Sequence, residues 1–416
     1  MEAISRATLS ALAGCDETRL SELERLGILR QRNGSYHSGD VSCLRVALAL
    51  NDAGISLDTL AEGLSRKVFS LDFASQLMFE PVALTTRSLD RELQAENFDL
   101  PTLNRLRSAT GLPQLSDDQA PREDDIELMQ QLAACRRLGV SEEGLARVLR
   151  VFGQTTRRAV DTMRDLFRGE IEEQLLGSGL SHAEMLEIGA RKRLALQRSG
   201  FRGLFLLQRR LLEEAVFNNV VARIQDAFRD EGHEIATGEA MPAVAFADLT
   251  GFTSLTDMIG DSKAAEQAAA FEAFAQKIAL AAGGRVIKAL GDGVMMLFPD
   301  AACGLEASLL MIEEQERHGL PPVRVGLATG QIVPRDGDIF GRTVNLAARI
   351  SNVAQAAEVL ACPATRTSAL AMRPLSFSFS ALKPVGLKGL REPVPLFSVH
   401  RAVAGDGGMP DPKGTG

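Results

Sequence analysis

From residue 1 to about 235, apolar side chains recur at the three- and four-residue spacing of amphipathic helices, and strand-like alternation is confined to one short stretch. The pattern predicts an all-α region. Ser181-His-Ala-Glu184 has the form of a capping box that opens a helix, and Gly153, Gly177 and Gly200 read as punctuation between segments. The run FLLQRRLLEEAVFNNVVARIQDAF, residues 205–228, closes the region. Its second half sets Val216, Phe217, Val220, Val221, Ile224, Ala227 and Phe228 on one stripe of a long helix, as core packing or dimer packing would require. Polar and small residues with a proline follow, and they predict a linker over 231–241.

The texture then changes. Short β-like runs (PAVAFADL, GRVIKAL, VMMLF, VRVGLA, EVLA, PLFSV) alternate with helical ones (KAAEQAAAFEAFAQKIALAA, AACGLEASLLMIEEQ, GRTVNLAARISNV). This order of strand, helix, strand, strand, helix, strand predicts an α+β domain with helices on one face of a mainly antiparallel sheet. The closing residues 403–416 are expected to be a disordered tail.

Length and composition narrow the class. A chain of 416 residues with 45% hydrophobic content is long enough for two or three cores. The net charge of −8, with both signs interspersed, argues against a broad nucleic-acid or membrane footprint. The scattered cysteines Cys15, Cys43, Cys135, Cys303 and Cys362 lack metal-ligand spacing and suit reduced thiols. MEAISRATLS lacks the apolar core of a signal peptide and no apolar run is long enough to span a bilayer, so a soluble cytoplasmic protein is expected.

Three stretches carry candidate chemistry. In FADLTGFT, residues 246–253, Asp248 ends a β run beside a loop at Gly251 and a helix start, which places a carboxylate next to backbone N–H groups able to hold phosphate oxygens. Taken alone it is also an ordinary N-cap aspartate. In VIKALGDGVMMLF, residues 286–298, an otherwise apolar hairpin holds Lys288 and, in its Gly291-Asp292-Gly293 turn, Asp292. Two carboxylates at adjacent strand ends could hold divalent cations in oxygen ligands, as Mg²⁺ sites on phosphate substrates require. In GDIFGRTVNLAARIS, residues 337–351, Asn345 and Arg349 lie one turn apart on a helix that begins near Gly341, with Val344 and Ala348 in the neighbouring core-facing row. An amide that orients a sugar and a guanidinium facing charge on phosphorus would suit phosphoryl chemistry, and an exposed polar pair would look the same.

FADLTGFTSL, VIKALGDGVMMLF, VRVGLATG, GDIFGRTVNLAARIS and VGLKGLREPVPLFSV, in that order and spacing, resemble the catalytic domain of class III adenylyl cyclases over residues 242–402. The resemblance implies a ferredoxin-like βαββαβ fold and ATP as substrate, converted to 3′,5′-cyclic AMP and pyrophosphate. It implies two divalent cations, Mg²⁺ or Mn²⁺, and sites shared between the subunits of a homodimer. Asp248 and Asp292, with Leu249 beside them, would form the metal set. Lys288 and Asp338 would read the adenine edge, where a donor and an acceptor complement N1 and the exocyclic amine. Asn345 would contact the ribose and Arg349 stabilise the transition state, while Gly251, Phe252, Thr253 and Lys388 would contact substrate. One hairpin would thus serve two sites, Asp292 in one and Lys288 in the symmetry-related one.

Near the N-terminus, Leu26-Gly27-Ile28-Leu29, Tyr36, Asp40-Val41 and the Gly54-Ile55-Ser56-Leu57 turn resemble the winged helix of MerR-type regulators over residues 1–62. Acidic side chains slightly outnumber basic ones there, so a regulatory or dimerising module is expected in place of a DNA reader. Residues 63–230 are then expected to be a helical regulatory domain ending in a transducing helix. Its input would be a small molecule, a lipid or a proton, and Leu204, Phe205, Leu206 and Leu207 would suit an acyl chain. The competing reading is an inactive nucleotide-sensing or DNA-binding regulator that uses the cyclase-like domain to dimerise. The diguanylate cyclase signature and the P-loop motif are both absent.

Overall fold

The computed structural model describes residues 3–31, 34–71, 73–74, 88–116, 121–233, 241–389 and 391–402. Most of the expected linker and the whole expected tail lie outside the described residues. The chain divides into two compact units, Met1–Ile224 and Gln225–Gly416.

The first unit is helical. Strands β1 (Ala3–Ile4) and β2 (Tyr36–His37) form a two-residue antiparallel pair among α1 (Arg6–Ala13), α2 (Glu17–Arg25), α3 (Ser38–Asp52) and α4 (Leu57–Ser65). These share a core of Leu9, Leu20, Leu23, Tyr36, Leu44 and Leu60. A separate core built on Leu93, Leu106, Met129 and Leu145 joins α5 (Leu89–Ala95), α6 (Leu100–Thr110), α7 (Glu123–Arg137) and α8 (Glu142–Phe167). The short α9 (Glu173–Gly177) follows, and α10 runs unbroken from His182 to Asp230. The capping box forms at its start: Ser181 N–H donates to Glu184 Oε2 at 2.9 Å and Glu184 N–H to Ser181 Oγ at 3.3 Å.

One expectation changes here and another narrows. Gly153 and Gly200 do not separate segments, since they lie inside α8 and α10. They are points of close approach instead: a Cβ on Gly153 would overlap the backbone of Thr110, and one on Gly200 the Met163 side chain. The stripe on the second half of α10 is also not core, because Val216, Phe217, Val220, Val221, Ile224 and Phe228 are all exposed, Phe217 to 68%.

The second unit holds a seven-stranded sheet in the order β10-β11-β9-β6-β3-β5-β4. Its strands are β3 (Ala243–Leu249), β4 (Arg285–Ala289), β5 (Gly293–Phe298), β6 (Val323–Thr329), β9 (Val359–Ala361), β10 (Phe377–Ala381) and β11 (Phe397–Arg401). A side hairpin joins β7 (Val333–Arg335) to β8 (Asp338–Phe340). The helices are α11 (Phe252–Ile259), α12 (Asp261–Ala281), α13 (Ala301–Glu314), α14 (Arg342–Ser351) and α15 (Pro363–Met372). Among the described residues only β6 and β9 pair in parallel.

Helices cover both faces of this sheet, not one. Ala243, Ala245, Ala247 and Leu249 face a core with Phe271 and Ile278 of α12 and Leu305 of α13, while Val244 and Phe246 face Val344, Ala347 and Ile350 of α14. AVAFADL is apolar at nearly every position because both its faces are buried. Helix α14 lies against the sheet at Gly326, where a Cβ would overlap the Ser351 N–H and the Ala347 carbonyl.

Candidate active site

On the α14 face of the sheet the central strands bring charges together. Asp248, next to last in β3, stands opposite Gly293 of β5 on one side and Arg324 of β6 on the other. Arg324 donates to Asp248 Oδ2 through Nε at 2.9 Å and through Nη2 as well. Oδ1 is left on the side of Gly293, 3.1 Å from where a Cβ would stand. Asp292 is held at the same place, since its carbonyl accepts from Leu249 N–H at 3.0 Å. The turn that carries it is closed by Leu290 N–H on Gly293 O at 2.7 Å, with Gly291 at φ +77°. Burial pushes the Asp248 carboxyl up; the Arg324 bond opposes this, the charge of Asp292 reinforces it, and the result is a raised pKa.

The β3–α11 connection supplies backbone donors. Gly251 takes φ +76° and no side chain caps α11, so the N–H groups of Phe252 and Thr253 open toward any phosphate oxygen presented there. Thr250 N–H bonds to Pro322 O at 2.8 Å, while its hydroxyl is buried without a partner.

Lys288 and Asp338, which the resemblance couples, lie in contact. Lys288 Nζ donates to Asp338 Oδ2 at 2.5 Å, and Asp338 Oδ1 accepts from the Ile339 N–H at 2.8 Å. A bulge in the β4–β5 ladder between Val286 and Lys288 sets the register of the lysine, which pairs with Met295. Burial raises the Asp338 carboxyl, but the Lys288 bond, the Ile339 N–H and the lysine charge together outweigh it and leave the pKa lowered.

Helix α14 buries Thr343, Val344, Ala347, Ile350 and Ser351, which leaves Asn345 exposed and Arg349 half-buried on its outer side. Ala348, expected beside Val344 in the core row, is only partly buried; the buried row runs through Ala347. Lys388 is exposed between Leu387, buried against α14, and Gly389, whose Cβ position is 3.3 Å from Arg349 Nη2.

Three groups therefore form: Asp248, Asp292 and Arg324; Lys288 and Asp338; and Arg349 with the 387–389 turn. Among the described residues no hydrogen bond or ion pair links one group to another, and no three His, Cys, Asp or Glu side chains converge as a metal cage. Two neighbouring carboxylates fit a divalent cation that takes its remaining ligands from water and substrate oxygens. Arg324 was not foreseen. It is a charge inside the apolar strand VRVGLAT, the same signal that picked out Lys288.

The Adenylate and Guanylate cyclase catalytic domain family matches residues 239–401. An adenylate cyclase of Streptomyces coelicolor is 32% identical over 62% of this chain and 65% of its own length. A pH-sensitive adenylate cyclase of Mycobacterium tuberculosis is 30% identical over 79% of this chain and 84% of its own. Among solved structures, the adenylyl cyclase CyaB from P. aeruginosa is 24% identical, with a TM-score of 0.35 over 39% of this chain and 95% of that one.

The fold and the site thus define a class III nucleotide cyclase domain behind a helical region, and the chain belongs to the adenylate and guanylate cyclase family. Several curated relatives are adenylate cyclases, which bears out the expectation of an enzyme of that class. Domains of this family bind a nucleotide, use divalent cations and work as dimers. No described helix is long and apolar enough to cross a membrane.

Proposed function

We propose that two copies of this chain convert ATP to 3′,5′-cyclic AMP and pyrophosphate at sites each built from both subunits. The carrying observation is the β4–β5 hairpin: its turn holds Asp292 beside Asp248, while its first strand sends Lys288 to Asp338, a separate group. Asp248 and Asp292, with the Leu249 backbone, would hold two divalent cations, which when bound neutralise triphosphate charge and acidify the ribose 3′-hydroxyl.

Lys288 donates to adenine N1 and Asp338 accepts from the exocyclic amine, and their 2.5 Å contact already fixes donor and acceptor side by side. Asn345 orients the ribose. The α11 N–H groups at Phe252 and Thr253, with Lys388, hold phosphate oxygens. The 3′-oxygen forms a bond to the α-phosphorus as the bond to the β-phosphate oxygen breaks, pyrophosphate leaves, and the proton passes to solvent. Arg349, one turn beyond Asn345, faces the charge that develops on the α-phosphoryl group.

The exposed apolar stripe of α10 supports the homodimer, since so large an apolar face on one chain needs a covering surface. Residues 1–230 regulate the catalytic pair through that helix. The name of the M. tuberculosis relative, whose length this chain covers to 84%, favours a proton as the input over a lipid or small molecule. The test is direct: purified protein with ATP and Mn²⁺ or Mg²⁺ should yield cyclic AMP, and Asp248→Ala should abolish it. A wild-type protein that binds ATP without turnover would establish the inactive-sensor reading instead.

A further inference from the structure

Helix α10 changes character in its middle. Between residues 188 and 212 the chain holds seven basic side chains and no acidic one, although its net charge is −8. In RSGFRGLFLLQRRLL, residues 198–212, a helical advance of about 100° per residue sets Phe201, Leu204, Phe205, Leu211 and Leu212 within about a third of the circumference. All five are exposed, Phe205 to 53% and Leu211 to 64%. Arg191, Arg198, Arg202 and Arg209 follow one another at steps of seven, four and seven residues, so they form one exposed row along the edge of that face. Arg202 lies over the Phe205 ring, 5.4 Å from its centroid, and Arg209 Nε donates to Glu213 Oε1 at 3.1 Å just past the segment. An apolar face bordered by arginines has the form of a helix that lies in a lipid–water interface.

We infer that residues 198–212 of α10 seat the protein on the surface of an anionic phospholipid bilayer, with the apolar face at the acyl boundary and the arginine row among the head groups. The footprint is local, one face of one helix, and the segment rests on the bilayer without crossing it. Charge selects this occupant. A second copy offers no carboxylate between residues 188 and 212, so the segment paired in parallel with itself sets cation against cation. The stripe from Val216 onward differs, because Glu213, Glu214 and Asp226 accompany Arg223 and Arg229 there, and that balance suits self-association. Nucleic acid would answer the arginines but leave the five apolar side chains in water.

The full-length protein is mixed with vesicles of phosphatidylcholine alone, or of phosphatidylcholine and phosphatidylglycerol in equal parts, and the bound fraction is read by co-sedimentation. Binding to the anionic vesicles should exceed binding to the neutral ones by about tenfold or more, and added salt should reduce it. Leu204→Glu with Leu211→Glu should abolish it. Arg198→Gln with Arg202→Gln, which leaves the apolar face intact, should weaken it about twentyfold, the combined effect of two cations at an anionic surface. Thermal melting reports folding and analytical ultracentrifugation reports assembly, and the arginine pair carries the test if the glutamate variant does not fold. A wild type that ignores the anionic vesicles or binds both kinds equally overturns the inference, as does a glutamate variant that still binds. A glutamate variant that turns monomeric with vesicle binding intact assigns the face to a second copy. Duplex DNA that strips wild type from the vesicles and binds the glutamate variant equally well assigns the arginines to nucleic acid, and either result also overturns the inference.

Discussion

Partial burial by itself raises a carboxyl, yet Asp338 is held below the usual aspartate range by Lys288 and the Ile339 N–H. Its folded pKa is depressed relative to the unfolded value of about 3.9, so the pair contributes stability above that pH and loses it as pH falls through the folded value. With Lys288 41% exposed, the contribution is small. Lys288→Met should move the Asp338 titration upward, read by the ¹³C carboxyl shift, because burial is then opposed only by the backbone donor. The same substitution removes the donor to adenine N1, and the preference of kcat/KM for ATP over GTP should fall about tenfold to a hundredfold. An unchanged preference would show that the base is read elsewhere. Lys288 and Asp292 stand out because each is a charge in a stretch otherwise fit for burial, whereas Asp338 enters only through the family resemblance. Arg324 carries the same signal, but its partner follows only from the β3–β6 register, which spacing along one chain does not give.

At the scale of elements, α14 is placed by a missing side chain. Gly326 leaves room for the helix backbone on the sheet, and Gly326→Ala should push α14 outward, lowering stability by about 1–3 kcal/mol in thermal denaturation and reducing turnover as Asn345 and Arg349 move. A variant equally stable and active would mean that the helix tolerates the shift. The strong elements were legible from periodicity: β3, β5, β6, α12, α13 and α14 stand where apolar runs predicted them. The second layer of helix was not, although AVAFADL, apolar without alternation, already signals burial on both faces. Strand β10, which alternates serine and phenylalanine in FSFSA, is too short to stand out from loop, and α15, PATRTSALAM, buries only Thr365 and Ala369 and so lacks the apolar stripe that marks α14. Gly153 and Gly200 misled for a related reason: glycine marks a break or a close contact, and only packing tells which.

For the whole molecule, the proposed dimer rests on the exposed stripe on α10 and on the separation of the site residues into groups. Phe217→Glu with Ile224→Glu should weaken self-association, so that sedimentation shifts toward monomer and specific activity becomes dependent on protein concentration. Removal of residues 1–230 should change the turnover rate and its dependence on pH, whereas identical profiles would leave the first unit without a regulatory role. The central claim is that each site takes its carboxylates from one chain and its base-reading, ribose and phosphorus-facing residues from the other. Asp248→Ala and Asn345→Ala chains, each inactive alone, are mixed under conditions that allow exchange, and cyclic AMP formation is measured. Sites shared head to tail give half heterodimers with one intact site each, hence recovery to about one quarter of wild-type activity; a mixture as inactive as its components would contradict the account.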